Sequence, residues 1–306
     1  MFPLPNKFVH DMLALDGENA RDWLNRLPDI LAACEQHWHI TIGPPFELSF
    51  NYVAPATRFD GTPLVLKACL PSGEFTRQAE ALRLFDGHGM VQLLEYDEVE
   101  EVMLLERLLP GTLLSTLNDD QKATSIAASV MRQMRRTAPL DHLFPTVRDW
   151  GKGFARLREY YAGSCGPFPP ALLTEAETLF AELAASMAEN ILLHGDLHHE
   201  NILAATRHPW LAIDPKGLVG EPAYETGALL RNQLSRVFDA PHPTRVMARR
   251  IHQLADELNL DGERIRGWGL AQAVLSTWWN VEDFGSMREY GRATLACAEL
   301  LSTISI

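Results

Sequence analysis

The sequence predicts an α+β fold in which a small strand-rich lobe precedes a larger helical one. Three observations predict it. Residues 46–106 hold short runs of β pattern interrupted by one helix. Beyond Gly111 almost every stretch has helical spacing. The main exception there, residues 192–214, is a polar loop leading into a short hairpin. At 306 residues the chain is long enough for two such lobes. The expected division is a helical extension over 1–45, a strand-rich lobe over 46–108 and a helical lobe over 109–306.

In order, Ala20, Trp23, Leu24 and Leu27 recur at helical spacing, and Pro28 opens a second helix carrying Ile30, Leu31, Cys34 and Trp38. "GPP" at 43–45 ends the helical pattern. "FELSFNYVA" and "PLVLKACL" read as strands around the turn "FDGTP". "PSGEFTRQAEALRLFDG" reads as a helix with Ser72 as its N-cap and Phe75, Leu82 and Phe85 facing inward. "VQLLEY" and "EVMLLER" form a hairpin, and "LLPGTLL" breaks the pattern at Pro110 and Gly111.

Composition narrows the class without naming it. With 46% hydrophobic and 22% charged residues, the chain is that of an ordinary globular protein. It has no apolar run long enough to span a membrane, and its first residues lack a secretory pattern, so a cytoplasmic location is expected. The net charge of −13 argues against a nucleic-acid partner and suits a cationic small-molecule substrate. Cys34, Cys69, Cys165 and Cys297 form no CxxC pair, so free thiols are expected.

The chemistry concentrates in "LLHGDLHHENILAATRHPWLAID". Asp196 precedes Asn201 by five residues, the spacing of a phosphoryl-transfer loop whose Asp accepts a hydroxyl proton and whose Asn binds metal. "NILAA" and "WLAID" flank a turn, and a symmetric hairpin would set Asn201 directly opposite Asp214. An amide oxygen and a carboxylate so placed can share a magnesium ion with water and phosphate oxygens. Pro215 is expected to keep Asp214 extended. Read singly, these residues could equally make turns. His194, His198 and His199 admit a zinc reading only if a helix runs there, which Gly195 opposes.

A second half is needed for nucleotide phosphates, and "LVLKACL" supplies it. Lys67 shares a strand face with Val65 and Cys69, so its ammonium needs an anionic partner. Glu80 on the following helix is the expected partner, with Glu74 as the fallback. Backbone groups of Glu106 and Leu108, where a strand runs out in "LLERLLPG", could meet an adenine ring.

"LVLKA", "LLERLLPGTLL", "LLHGDLHHENIL" and "AIDPKGLVGEPAYETGALLRN", in this order, resemble the aminoglycoside phosphotransferase superfamily of the protein-kinase-like fold. More narrowly they are similar to the streptomycin 6-phosphotransferase and hydroxyurea phosphotransferase family. The resemblance covers about residues 46–300. It implies ATP and magnesium as cofactors, Asp196 as catalytic base, Asn201 and Asp214 as metal ligands, and Lys67 with Glu80 as the nucleotide-positioning pair. It implies transfer of the γ-phosphate to a hydroxyl of a streptomycin-like or hydroxyurea-like acceptor. Two departures stand out. Gly195 replaces the Arg of protein kinases, and residues 217–222 hold no Ser, Thr or Tyr for activation-loop phosphorylation. "FNYVAPATRFDG" also lacks the glycine-rich phosphate loop. A kinase-fold protein that binds nucleotide but does little chemistry is the competing reading, as is a kinase of an unrelated metabolite.

For the acceptor, Glu221, Glu225, Trp278, Glu282 and Asp283 group acidic and aromatic side chains after the metal pair. They would suit a guanidinium or ammonium through charge and cation–π contact. The alternative is a helix end with core tryptophans and solvated carboxylates.

Overall fold

The first strands and helices pack into two compact units, Met1–Gly111 and Thr112–Ile306. The structure, a computed structural model, describes residues 2–71 and 73–306. Ser72, expected to cap a helix, lies outside the described residues, and the helix in question takes Glu74 as its N-cap.

The first unit contains α1 (Asn6–His37), β1 (Ile40–Ile42), β2 (Asn51–Arg58), β3 (Pro63–Cys69), α2 (Phe75–Phe85), β4 (Leu93–Asp97) and β5 (Val102–Glu106). Its sheet is antiparallel in the order β1-β2-β3-β5-β4. The expected helical extension over 1–45 is not separate. Phe8, Met12, Trp23 and Leu27 of α1 share one core with Tyr52, Ala54, Leu64 and Leu66 of the sheet. Nor does Pro28 open a new helix. It sits inside α1, where Leu27, Ile30 and Leu31 are buried around it. The break falls at Asp16 and Gly17 instead, where Gly17 takes a positive φ of 48°.

The strand expected from Phe46 begins only at Asn51, because Phe46 and Phe50 remain exposed and drive no sheet burial. Residues 51–58 are therefore strand, and residues 43–50 form the loop joining β1 to β2. β1 has only three residues, too short for an alternating pattern to register. The hairpin between β4 and β5 closes as expected, with the Asp97 carboxylate accepting from the N–H groups of Val99 and Glu100.

The chain passes into the second unit through β6 (Pro110–Leu113) and continues as α3 (Asp120–Met134), α4 (Val147–Tyr160) and α5 (Pro170–Ala185). Then come β7 (Ile191–Leu193), β8 (Ile202–Ala205), β9 (Trp210–Ala212) and β10 (Leu218–Gly220). Helices α6 (Pro222–Leu230), α7 (Leu234–Phe238), α8 (Pro243–Leu258), α9 (Gly262–Phe284) and α10 (Glu289–Ser302) complete it. Helix α9 is buried around nearly its whole circumference and packs on α4, α5, α6, α8 and α10, as a helix apolar on every side must. Asp261 caps its start, and Gly285, left-handed, ends it. A reciprocal capping box, Thr146 with Asp149, starts α4. Strand β7 pairs with β10 and β8 with β9, both antiparallel. These short pairs hold two loops, 194–201 and 213–217, that carry the polar residues singled out above. None of the described helices is long and apolar enough to cross a membrane.

Candidate active site

The loop after β7 is held from below by one side chain. Glu225 on α6 is buried, and its two carboxylate oxygens accept the backbone N–H groups of His194 (2.6 Å) and Gly195 (3.1 Å). Burial pushes its carboxyl up to about 7, against the opposing pull of the N–H groups of His194, Gly195 and Leu197. Glu225 is thus a support for the loop and not an acceptor-binding carboxylate. The expected role is corrected.

His194 is fully buried. Its Nε2 lies 2.7 Å from the Ile213 carbonyl, and its Nδ1 accepts from the Asp196 N–H at 3.2 Å. That pairing requires the proton on Nε2, and burial holds the ring neutral by lowering its pKa to about 4. The His194 carbonyl accepts from Lys216 N–H (2.8 Å), so one residue ties both loops together. Gly195 takes a φ of +85°, and a Cβ there would meet Trp150, Leu218 and Lys216 at 3.3–3.4 Å. Only glycine suits both constraints.

Asp196 stands at the loop's crest with its side chain about one-third exposed (30%). Its Oδ1 accepts from Arg231 Nη2 at 2.9 Å, while its Oδ2 lies 3.8 Å from His198 Nε2. Asn201 donates its Nδ2 to the Asp196 carbonyl (2.9 Å), with His198 Nε2 at 3.3 Å. The amide nitrogen is committed, which turns the Asn201 Oδ1 into the available acceptor.

The hairpin differs from its expected register by one residue. Ile202 faces Ala212, and Ile213 N–H donates to the Asn201 carbonyl at 2.9 Å, so Asn201 stands opposite Ile213. The turn centres on Arg207, not between Arg207 and His208. Asp214 lies one residue past direct opposition, with a φ of +61° in the left-handed region. Pro215 therefore does not hold it extended, and Asp is among the few non-glycine residues that tolerate this conformation. An Asn oxygen and a single carboxylate suit magnesium, which keeps several waters and takes its other ligands from phosphate oxygens. Among the described residues no three His, Cys, Asp or Glu side chains converge as a metal site, so the zinc arrangement of His194, His198 and His199 is not formed. His199 lies instead near Arg250 and Asp120, and burial lowers its pKa to about 3.

In the first unit, Lys67 is 5% exposed and donates its Nζ to Gln78 Oε1 at 2.7 Å. The pairing with Glu80 is corrected: Glu80 accepts from Arg83 at 2.9 and 3.1 Å, on the outer side of α2. Glu74, the fallback, has Arg77 at 4.0 Å. The spacing of Phe75, Gln78, Leu82 and Phe85 already places Gln78 inward, a signal passed over because a carboxylate was sought. Glu106 ends β5 with its N–H committed to the Gln92 carbonyl (2.9 Å), so a base could use only its carbonyl. Leu108 is buried. Arg107 between them covers the exposed Phe46 ring at 5.0 Å.

The acidic wall expected around the acceptor dissolves. Glu221 accepts from Arg264 (2.7 Å) and from the Trp268 indole N–H. Trp278 is 1% exposed and packs edge-on against Tyr160 and Tyr161. Glu282 is held bidentately by Arg156 at 2.5 and 3.0 Å. Asp283 stays exposed at the end of α9. Sequence reasoning missed Arg231, which interrupts an otherwise apolar helix end and so carried a signal. It also missed Trp150, whose ring lies against Gly195 and meets Trp279 edge-on at 5.4 Å.

The model of the aminoglycoside/hydroxyurea antibiotic resistance kinase family matches residues 37–284. The chain belongs to that family. It is 34% identical over 305 residues to streptomycin 6-kinase of Streptomyces griseus, covering 98% of this chain and 97% of that protein. Hydroxyurea phosphotransferase of Kitasatospora aureofaciens is 34% identical, over 92% of this chain and 81% of its own length. Among solved structures, a thermostable mutant of an aminoglycoside phosphotransferase, in ternary complex with ADP and hygromycin B, matches 90% of this chain and 98% of its own. The TM-score is 0.61 at 16% identity. The fold of this family member is protein-kinase-like, and its class is phosphotransferase.

Proposed function

We propose that this family member is an ATP- and magnesium-dependent kinase transferring the γ-phosphate to a hydroxyl of a streptomycin-like or hydroxyurea-like acceptor. The observation that carries the reading is the asymmetry of Asp196. One carboxylate oxygen is fixed by Arg231 at 2.9 Å, and the other has His198 Nε2 at 3.8 Å. Asp196 Oδ2 orients the acceptor hydroxyl and takes its proton as the new O–P bond forms and the bond to the ADP oxygen breaks. Asn201 Oδ1 and the Asp214 carboxylate would hold magnesium, which when bound offsets charge on the phosphate oxygens. Lys67 would meet the α- and β-phosphates. The two curated relatives are named for streptomycin and hydroxyurea phosphorylation, and that supports the acceptor class.

The absence of a glycine-rich phosphate loop in "FNYVAPATRFDG" favours the second reading, a kinase-fold protein that binds nucleotide but does little chemistry. Acceptor-dependent ADP release separates the two. With streptomycin or hydroxyurea added, release should rise at least tenfold over ATP and magnesium alone, with the phosphorylated acceptor seen by mass spectrometry. No increase with either acceptor would overturn the proposed function.

A further inference from the structure

We propose that Arg231 is a positioning residue that fixes the Asp196 carboxylate for proton transfer. The proposal rests on the kinase reading above and adds the residue that holds its base.

Arg231 closes α6 with its side chain 6% exposed. Its Nη2 reaches Asp196 at 2.9 Å, and its Nη1 reaches Gln272 Oε1 at 3.0 Å. Gln272 is itself fixed, because its Nε2 donates to the Tyr224 carbonyl at 2.5 Å. Gly227 makes this approach possible, since a Cβ there would come within 2.4 Å of the Gln272 amide. A glycine on α6 thus admits a glutamine from α9, which aims the arginine at the base. The Nε of Arg231 has no partner, so this burial does not optimise the guanidinium's own bonding. Buried ion pairs often stabilise no better than apolar packing, which makes stability a weak reason for an arginine here. Its effect on Asp196 is specific. With Oδ1 held, the carboxylate cannot rotate, and Oδ2 is the oxygen left to the substrate.

The test compares Arg231→Gln and Arg231→Lys by initial rates with streptomycin and with hydroxyurea, together with melting temperatures. Arg231→Gln should lower kcat about 10- to 100-fold with acceptor KM changed less than threefold, as for loss of a charge-assisted contact. Arg231→Lys should recover part of that loss, since an ammonium can still reach the carboxylate. An unchanged kcat in Arg231→Gln overturns the positioning role. So does a loss in both arginine variants that merely follows a falling melting temperature. If the wild type turns over neither acceptor, the proposed function fails, yet the positioning role is still read from crystal structures. There the Asp196 carboxylate should leave its place in Arg231→Gln, and an unmoved carboxylate overturns the inference.

Discussion

Around Asp196 the loop's polar side chains are tied largely to backbone, with the Arg231 contact to the Asp196 carboxylate the exception, and around Lys67 the tie is to another side chain. Glu225 grips two loop N–H groups, His194 a carbonyl and an N–H, and Asn201 the Asp196 carbonyl. Lys67 meets the amide of Gln78, which a helix presents. The Asn201 tie spans only five residues, so the Asp-x-x-x-x-Asn pattern was readable directly, even though Glu225 and Ile213 reach His194 from 31 and 19 residues away. A side-chain partner depends on which face of a helix turns inward, and there the reading slipped by two residues, to Glu80. The first kind of site is specified locally, whereas the second is specified by packing.

The largest effect should come from the locally specified loop. Asp196→Ala should lower acceptor-dependent turnover by about 10²–10⁴, the usual contribution of a positioned general base, while leaving the melting temperature nearly unchanged. A variant with near-normal turnover would remove Asp196 from the mechanism and leave the backbone wiring with no catalytic purpose. Next, Asp214→Ala should abolish magnesium-dependent turnover, and Asn201→Ala should raise the magnesium concentration needed for half-maximal rate. The shifted hairpin register sharpens this test. If Asp214→Ala keeps a normal magnesium titration, the left-handed turn at Asp214 does not serve the metal.

The same contrast explains what was legible. The α+β division, the free thiols, the β4–β5 hairpin and the loop carrying Asp196 and Asn201 all rest on composition or short-range spacing. What was misread depends on contacts far apart in sequence. Nothing local shows that Glu221 would be taken by Arg264 and Trp268, or Glu282 by Arg156. A carboxylate near a motif looks like a ligand until its partner 40 or more residues away is known. Arg231 and Gln78 were the reverse case. Each is a polar residue at a position where helical periodicity demands burial, a signal that should be given more weight than proximity to a motif.

A third prediction concerns the support beneath the loop. Glu225→Ala would leave buried N–H groups of His194 and Gly195 unsatisfied, at about 1–3 kcal/mol each. Thermal melts should therefore show a clear loss, while Glu225→Gln, which keeps one acceptor oxygen, loses less. Burial raises the Glu225 carboxyl from an ordinary 4.5 to about 7. The unfolded chain then ionises first as pH rises. The stabilisation from the protonated group is full below about pH 4.5 and is lost as pH climbs through about 7. Its total is at most roughly 3 kcal/mol. Melting curves from pH 5 to 8 should show wild type losing stability relative to Glu225→Gln, and a constant difference would mean Glu225 stays ionised throughout.

The smallest effects, in the first unit, are the most discriminating for the side-chain pairing. Gln78→Ala removes a hydrogen bond to a buried ammonium, and a bond to a charged group contributes about 1.5–3 kcal/mol. It should also raise the KM for ATP, because Lys67 loses one of the groups that orient it. Glu80→Gln removes only an exposed i,i+3 pair with Arg83, and such pairs contribute about 0.2–0.5 kcal/mol. Its ATP KM should stay within twofold of wild type. The two variants differ by two positions on one helix, so they separate the inward face from the outward one directly. Should Glu80→Gln raise the ATP KM more than Gln78→Ala does, the working enzyme turns α2 so that Glu80 reaches Lys67. The pairing expected from the family resemblance would then be the catalytic one, and the amide contact a feature of the protein without nucleotide.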